Sequence, residues 1–109
     1  MKETIEIQPN QPNNDIDKRQ IELIEFGAPW CNACKQVAPV LKEVRESLGD
    51  SAFITEIDIE KERELSQTYN ILSIPTVVIK LNDNVIGRIT GTNSKEGFLS
   101  YIHERLLNN

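Results

Sequence analysis

Two cysteines, Cys31 and Cys34, stand where one hydrophobic pattern gives way to another, and that junction limits what the chain can fold into. Ahead of them runs Ile21-Glu22-Leu23-Ile24-Glu25-Phe26, an apolar-rich segment that reads as a strand. Behind them Val37, Val40, Leu41, Val44 and Leu48 fall on one stripe of a helix. A strand therefore runs into a short turn, and the cysteine pair opens the helix that follows.

That position has chemical consequences. The first N–H groups of a helix lack intrahelical partners, and the positive end of the helix dipole lies there. Both favour thiolate over thiol at Cys31. In such settings the thiol pKa falls from about 8.5 to roughly 3.5–7.5, and the thiolate is the nucleophile of disulfide exchange. Cys34 follows one turn later on the same side, within reach of a disulfide. Cys31 is the candidate attacking thiol and Cys34 the candidate resolving thiol. Three other readings stand beside this one. The pair could be half a zinc site, with only His103 to add a ligand. It could be a static disulfide, although so short a loop constrains the unfolded chain little. It could be two ordinary buried cysteines. A Cys-x-x-Cys beside a βαβ pattern favours the redox reading.

Along the chain, Ile5 and Ile7 alternate with polar residues and suggest a short first strand. Residues 8–19 are polar, with Pro9 and Pro12, and read as a loop. The helix after the cysteines spans residues 31–48, with a kink expected at Pro39 and a left-handed cap at Gly49. Residues 51–58 alternate as a strand and residues 60–69 read as a helix stopped by Asn70. Residues 74–81 form a nearly continuous apolar run, a buried strand; Pro75 suits its start in the cis form. Asn82-Asp83-Asn84 is turn chemistry, so residues 85–90 return as an antiparallel edge strand. Asn93 or Ser94 caps a last helix, with Glu96 placed to complete a box on Asn93. Phe98, Ile102 and Leu106 form its buried stripe. The order describes an α/β sandwich: a mixed sheet covered by helices on both faces.

Several of these residues carry a resemblance. Ala28-Pro29-Trp30-Cys31-Asn32-Ala33-Cys34-Lys35, with Pro39 five residues after Cys34, resembles the active-site segment of the thioredoxin family. Ile74-Pro75-Thr76 resembles its cis-proline loop. Asn82-Asp83-Asn84 followed by Gly91 resembles its last hairpin and the glycine that flanks the site. The resemblance runs from Ile21 to Leu107 and implies a thioredoxin fold, a mixed central β-sheet flanked by helices on both faces. It implies a protein-disulfide reductase and electron carrier with a redox-active Cys31–Cys34 disulfide and no bound cofactor. Its substrates would be disulfide-containing proteins, and a thioredoxin reductase-type donor would reset it. Pro75 would then lie against the cysteines, and the Ile74 backbone would pair with an incoming peptide strand. Trp30 would be a partly exposed lid rather than a core residue. Gly91 would leave room for substrate, beyond merely relieving backbone strain.

The sequence departs from the family pattern in three places: Asn32-Ala33 replaces Gly-Pro, Glu25 an aspartate, and Glu56 a common lysine. The first leaves an oxidase or isomerase as an alternative, because the dipeptide tunes redox poise. A non-catalytic binding module using the surface around Trp30 and Pro75 is the alternative from another class. Glu25 shares a strand face with Ile21 and Leu23 and so points at packed apolar groups, where carboxylates seldom lie unpartnered. The family places an acid here, beneath the cysteines, for proton transfer in the resolving step. The other reading is a strand-edge glutamate reaching solvent. With Glu56 on the neighbouring strand, Glu25 is expected to titrate high. Lys35 is read as a solvated first-turn residue and His103 as a surface residue.

Length and composition set the outer bounds. The chain has 109 residues, which suits one domain over residues 1–109. Its net charge of −5 and lack of a basic cluster argue against nucleic-acid or anionic-membrane surfaces. No stretch approaches the ~20 apolar residues of a membrane span, and the first six residues lack the apolar run of a secretory leader. A monomer in the cytoplasm is expected, where thiols are kept reduced. No metal is expected.

Overall fold

The structure, a computed structural model, describes residues 19–108. The expected strand around Ile5 and Ile7, and the loop before Arg19, lie outside the described residues. The chain forms β1 (Ile21–Gly27), α1 (Asn32–Leu48), β2 (Ala52–Asp58), α2 (Arg63–Thr68), β3 (Thr76–Leu81), β4 (Asn84–Thr90) and α3 (Lys95–Leu107). The sheet order is β2-β1-β3-β4, with β1 parallel to β2 and antiparallel to β3, and β3 antiparallel to β4. This is the mixed sheet that the element order suggested.

Strand periodicity sorts the side chains to two cores. Ile21, Leu23, Val77 and Ile79 face one side, where Val37, Leu41 and Val44 of α1 meet Phe98 and Ile102 of α3. Ile24, Phe26 and Val78 face the other, against Leu65 and Tyr69 from α2 and its C-cap. Phe26 and Tyr69 pack there in a tilted pair with ring centroids 5.5 Å apart. β1 is buried on both faces because helices cover both, which explains its nearly unbroken apolar character.

The local details differ from the sequence reading in four places. Gly49 ends α1 at φ 89°, ψ −165°, a region that is essentially glycine's alone, rather than in the left-handed helical region. Its N–H donates to the carbonyls of Arg45 and Glu46 at 3.1 and 3.3 Å. α2 begins three residues late because Asp58 holds the preceding turn. Its carbonyl accepts from the N–H groups of Lys61 and Glu62, and its Oδ1 accepts from Glu60 N–H at 2.9 Å. β3 begins at Thr76, after the Ile74–Pro75 bond, which is cis. Ser94 is the cap of α3, accepting from Gly97 N–H at 3.0 Å. The third helical residue is then Gly97, so Glu96 cannot complete a capping box. Two other expectations hold. Asn70 stops α2 at φ 54°, and Asn82 and Asp83, both at positive φ, make the two-residue turn that suits a hairpin's twist. α1 runs through Pro39 without a break.

The strand directions bring four chain segments to one end of the sheet: the exits of β1, β2 and β4 and the entry of β3. The cysteines, residues 58–62, the Pro75 loop and Gly91 all sit there.

Candidate active site

Cys31 is the N-cap of α1, in an extended conformation (φ −90°, ψ 106°) that aims its side chain back over the first turn. Its Sγ accepts from Cys34 N–H at 3.1 Å. The two are joined as a disulfide, with Cα atoms 5.3 Å apart. Both are buried, at 7 % and 6 % exposure. In the disulfide form, then, accessibility does not separate the two sulfurs. What separates them is position: the cap N–H points at Cys31, and Cys34 lies one turn inside.

β1 delivers its last residues to the underside of this pair. A Cβ on Gly27 would lie 2.9 Å from Cys34 Sγ, so the strand backbone approaches the sulfur as only glycine permits. The pairing of Phe26 with Thr76 sets Pro75 one step on, beside Gly27. Pro75 is fully buried, and its carbonyl accepts from Gly91 N–H at 2.8 Å. Gly91 has φ 90°, and the space that a Cβ would enter is open. Ile74, half-buried, precedes this buried corner. The structure thus brings Pro75 and Gly91 together next to the strand end that carries the cysteines.

Trp30 lies on the surface at 62 % exposure. Its Nε1–H donates to Glu60 Oε2 at 2.9 Å, so the indole is tethered rather than free. A core role is excluded.

Glu25 is buried, at 7 % exposure, and does not reach solvent as a strand-edge residue would. It faces the α1 side of the sheet, paired in register with Glu56 on β2 and Val77 on β3. Burial pushes its carboxyl from an ordinary 4.5 up to about 7, and the Glu56 carboxylate adds to the rise. Glu25, Cys34, Lys35, Glu56 and Asp58 line one groove of about 330 Å³ that opens to solvent. Lys35 stands exposed at its wall. His103 is exposed on α3 beside Ile21 and Leu48, at the far end of β1 from the cysteines.

Three residues here escape a reading of the sequence. Gly27 left a signal, a glycine closing a buried strand, which often marks close approach. Asp58 and Glu60 left none, since their partners are a turn made by the fold and a tryptophan thirty positions away.

A reactive dithiol at a helix N-terminus, with a buried carboxyl sharing its groove, is the arrangement of a thiol–disulfide oxidoreductase. Comparison with known proteins agrees: the family model named Thioredoxin matches residues 3–104, and the chain belongs to the thioredoxin family. It is 34 % identical over 86 residues to the thioredoxin of Bacillus subtilis, covering 79 % of this chain and 83 % of that one. It is 38 % identical over 74 residues to the thioredoxin of Listeria monocytogenes, covering 68 % and 72 %. A thioredoxin-2 of the malaria parasite superposes with a TM-score of 0.72 at 20 % identity, over 79 % of this chain and 84 % of that one; this likeness is one of fold. Among the described residues, no helix is long and apolar enough to cross a membrane.

Proposed function

We propose that Cys31 attacks a disulfide in a protein substrate and that Cys34 resolves the mixed disulfide. The observation that carries this is the N-cap geometry: Cys34 N–H donates to Cys31 Sγ, and this bond and the helix dipole favour negative charge on Cys31. The Cys31 thiolate forms a bond to one substrate sulfur, and the other leaves as a thiolate. Cys34 then loses its proton and attacks Cys31 Sγ. The second substrate sulfur leaves, and the two electrons of the dithiol have passed to the substrate. Glu25, in the same groove as Cys34, accepts the Cys34 proton, directly or through a water. A base poised near neutral pH suits that task.

The substrate chain lies over Trp30, Ile74, Pro75 and Gly91. The open space at Gly91 and the exposed indole support this reading. Ile74 offers its backbone to an extended peptide. The electrons reside in the dithiol, so no bound cofactor takes part, and a thioredoxin reductase-type enzyme restores it. The protein works as a monomer in the cytoplasm, without nucleic acid or membrane. Residues 1–109 form one domain, a reading supported by the family match over residues 3–104.

The test is insulin reduction with dithiothreitol as donor, repeated with candidate reductases. Turnover that disappears in Cys31→Ser is expected. Its absence in the unaltered protein would favour a binding module. Equilibration with glutathione then places the Asn32-Ala33 pair, and a strongly oxidising potential would favour the oxidase reading.

A further inference from the structure

The end of β4 holds the segment that leads from α2 into β3. Arg88 and Thr90 lie two residues apart, in register with Val78 and Thr76 of β3, and so share the face of the sheet that carries α2. The Arg88 guanidinium donates to the carbonyls of Tyr69 at 2.6 Å and Asn70 at 3.4 Å, where α2 ends. Thr76 Oγ1 donates to the Ser73 carbonyl at 2.7 Å and lies 3.3 Å from Thr90 Oγ1. Gly91 N–H donates to the Pro75 carbonyl at 2.8 Å. A carbonyl can only accept, and a hydroxyl has one proton. The Thr76 proton is therefore committed to Ser73, and Thr90 is the donor within the hydroxyl pair. The chain of bonds runs one way, from Thr90 through Thr76 to Ser73.

These bonds set Ile74 apart from its neighbours. The carbonyls of Ser73 and Pro75, on either side of it, are both occupied. Among the described residues none bonds to the N–H or C=O of Ile74, which is half-buried. Such groups need a partner, and an added strand supplies one. We propose that Thr76 and Thr90 are positioning residues for substrate binding: their relayed hydroxyls fix the Ser73 carbonyl, and with it the direction in which Ile74 presents its backbone to the substrate. This rests on the reading that Ile74 pairs with an extended peptide. Thr76 is 2 % exposed, so water does not stand in for its hydroxyl. Recognition then runs through the substrate's main chain, and the ligand class is any peptide with free amides beside its disulfide.

The test uses the full chain in reduced form and a peptide joined through a disulfide to a fluorescent thiol. Peptide KM and kcat are measured for the unaltered protein, Thr76→Val, Thr90→Val and the two serine variants. The same proteins are timed on dipyridyl disulfide, which has no peptide backbone. Thr76→Val and Thr90→Val should raise the peptide KM by about twofold to tenfold, the worth of one neutral hydrogen bond. The longer Thr90 bond should give the smaller rise. kcat and the dipyridyl rate should not move, and serine should restore KM at both positions. N-methylation of the peptide amides, one at a time, should raise KM in the unaltered protein, and by less in the valine variants, because the two effects share one contact. Unchanged KM in both valine variants, with N-methylation still harmful, overturns the inference and leaves the reading of Ile74 standing. N-methylation without effect at any position defeats that reading and the inference with it. A dipyridyl rate that falls as far as the peptide rate shows a distorted dithiol and overturns the inference, as does failure of serine to rescue. Should Thr76→Val not fold, Thr90→Val, on the exposed rim, decides alone.

Discussion

Replacing Glu25 by glutamine should change how stability depends on pH, and by an amount that follows from burial. The folded protein raises this carboxyl from 4.5 to about 7, so the native state binds its proton more tightly than the unfolded chain does. Below pH 4.5 both states are protonated and the group contributes nothing. Between pH 4.5 and about 7 only the unfolded chain releases the proton, and stability falls as pH rises. Above 7 the loss is complete. At about 1.4 kcal/mol for each tenfold change in proton affinity, the full loss is about 3.5 kcal/mol. Water in the open groove reduces it, so a loss between about 1 and 3 kcal/mol is expected. Glu25→Gln has no proton to lose, so its stability should rise relative to the parent's through this window and reach its full excess above pH 7. Urea unfolding followed by circular dichroism, with both proteins held in the disulfide form, isolates the effect because the thiols do not titrate. Other carboxyls outside the groove contribute equally to both proteins and cancel in the difference. Stability curves that run parallel from pH 4.5 to 8 would refute the reasoning.

Three further outcomes are expected. Cys34→Ser should accumulate mixed disulfides with substrate through Cys31, while Cys31→Ser accumulates far fewer; equal trapping, seen on non-reducing gels, would mean the order of attack is wrong. Gly27→Ala should lower stability by about 1–3 kcal/mol, the usual range for overpacking, because the new Cβ would meet Cys34 Sγ at 2.9 Å; an unchanged urea midpoint would show that the strand end gives way freely. Glu60→Ala removes the tether of Trp30 on an exposed surface, so it should cost less than about 1 kcal/mol of stability while loosening the indole in fluorescence anisotropy and raising KM for insulin. A fixed indole with unchanged KM would show that the bond does not order the lid.

The strand, turn and helix around the cysteines were legible because each signal is short-ranged. The stripe from Val37 to Leu48 needs only helical spacing, and the Asn82-Asp83 turn needs two residues that tolerate positive φ. The boundaries that moved did so where a neighbour outside the segment decided them. α2 starts late because Asp58 occupies the N–H groups of residues 60–62. The capping box on α3 fails because the cap is Ser94, which places a glycine where the box needs an acid. At the site, strand alternation was enough to turn Glu25 inward. It could not supply the register that sets Glu25 against Glu56, nor the approach of Gly27 to Cys34.

By itself, then, the sequence determined the α/β order, the helix whose N-terminus receives the cysteines, and the chemistry that such a pair can perform. These depend on residues within a turn or two of one another, where spacing and capping act directly. Only the tertiary structure decided which strands are neighbours, that Pro75 and Gly91 meet beside the end of β1, that Trp30 is held by Glu60, and that two glutamates share the groove beneath Cys34. Those pairings reach residues as far apart as Ile21 and Leu81, and they exist because a sheet with both faces covered admits one register, in which Leu23 and Ile79 meet α1 while Phe26 and Val78 meet α2.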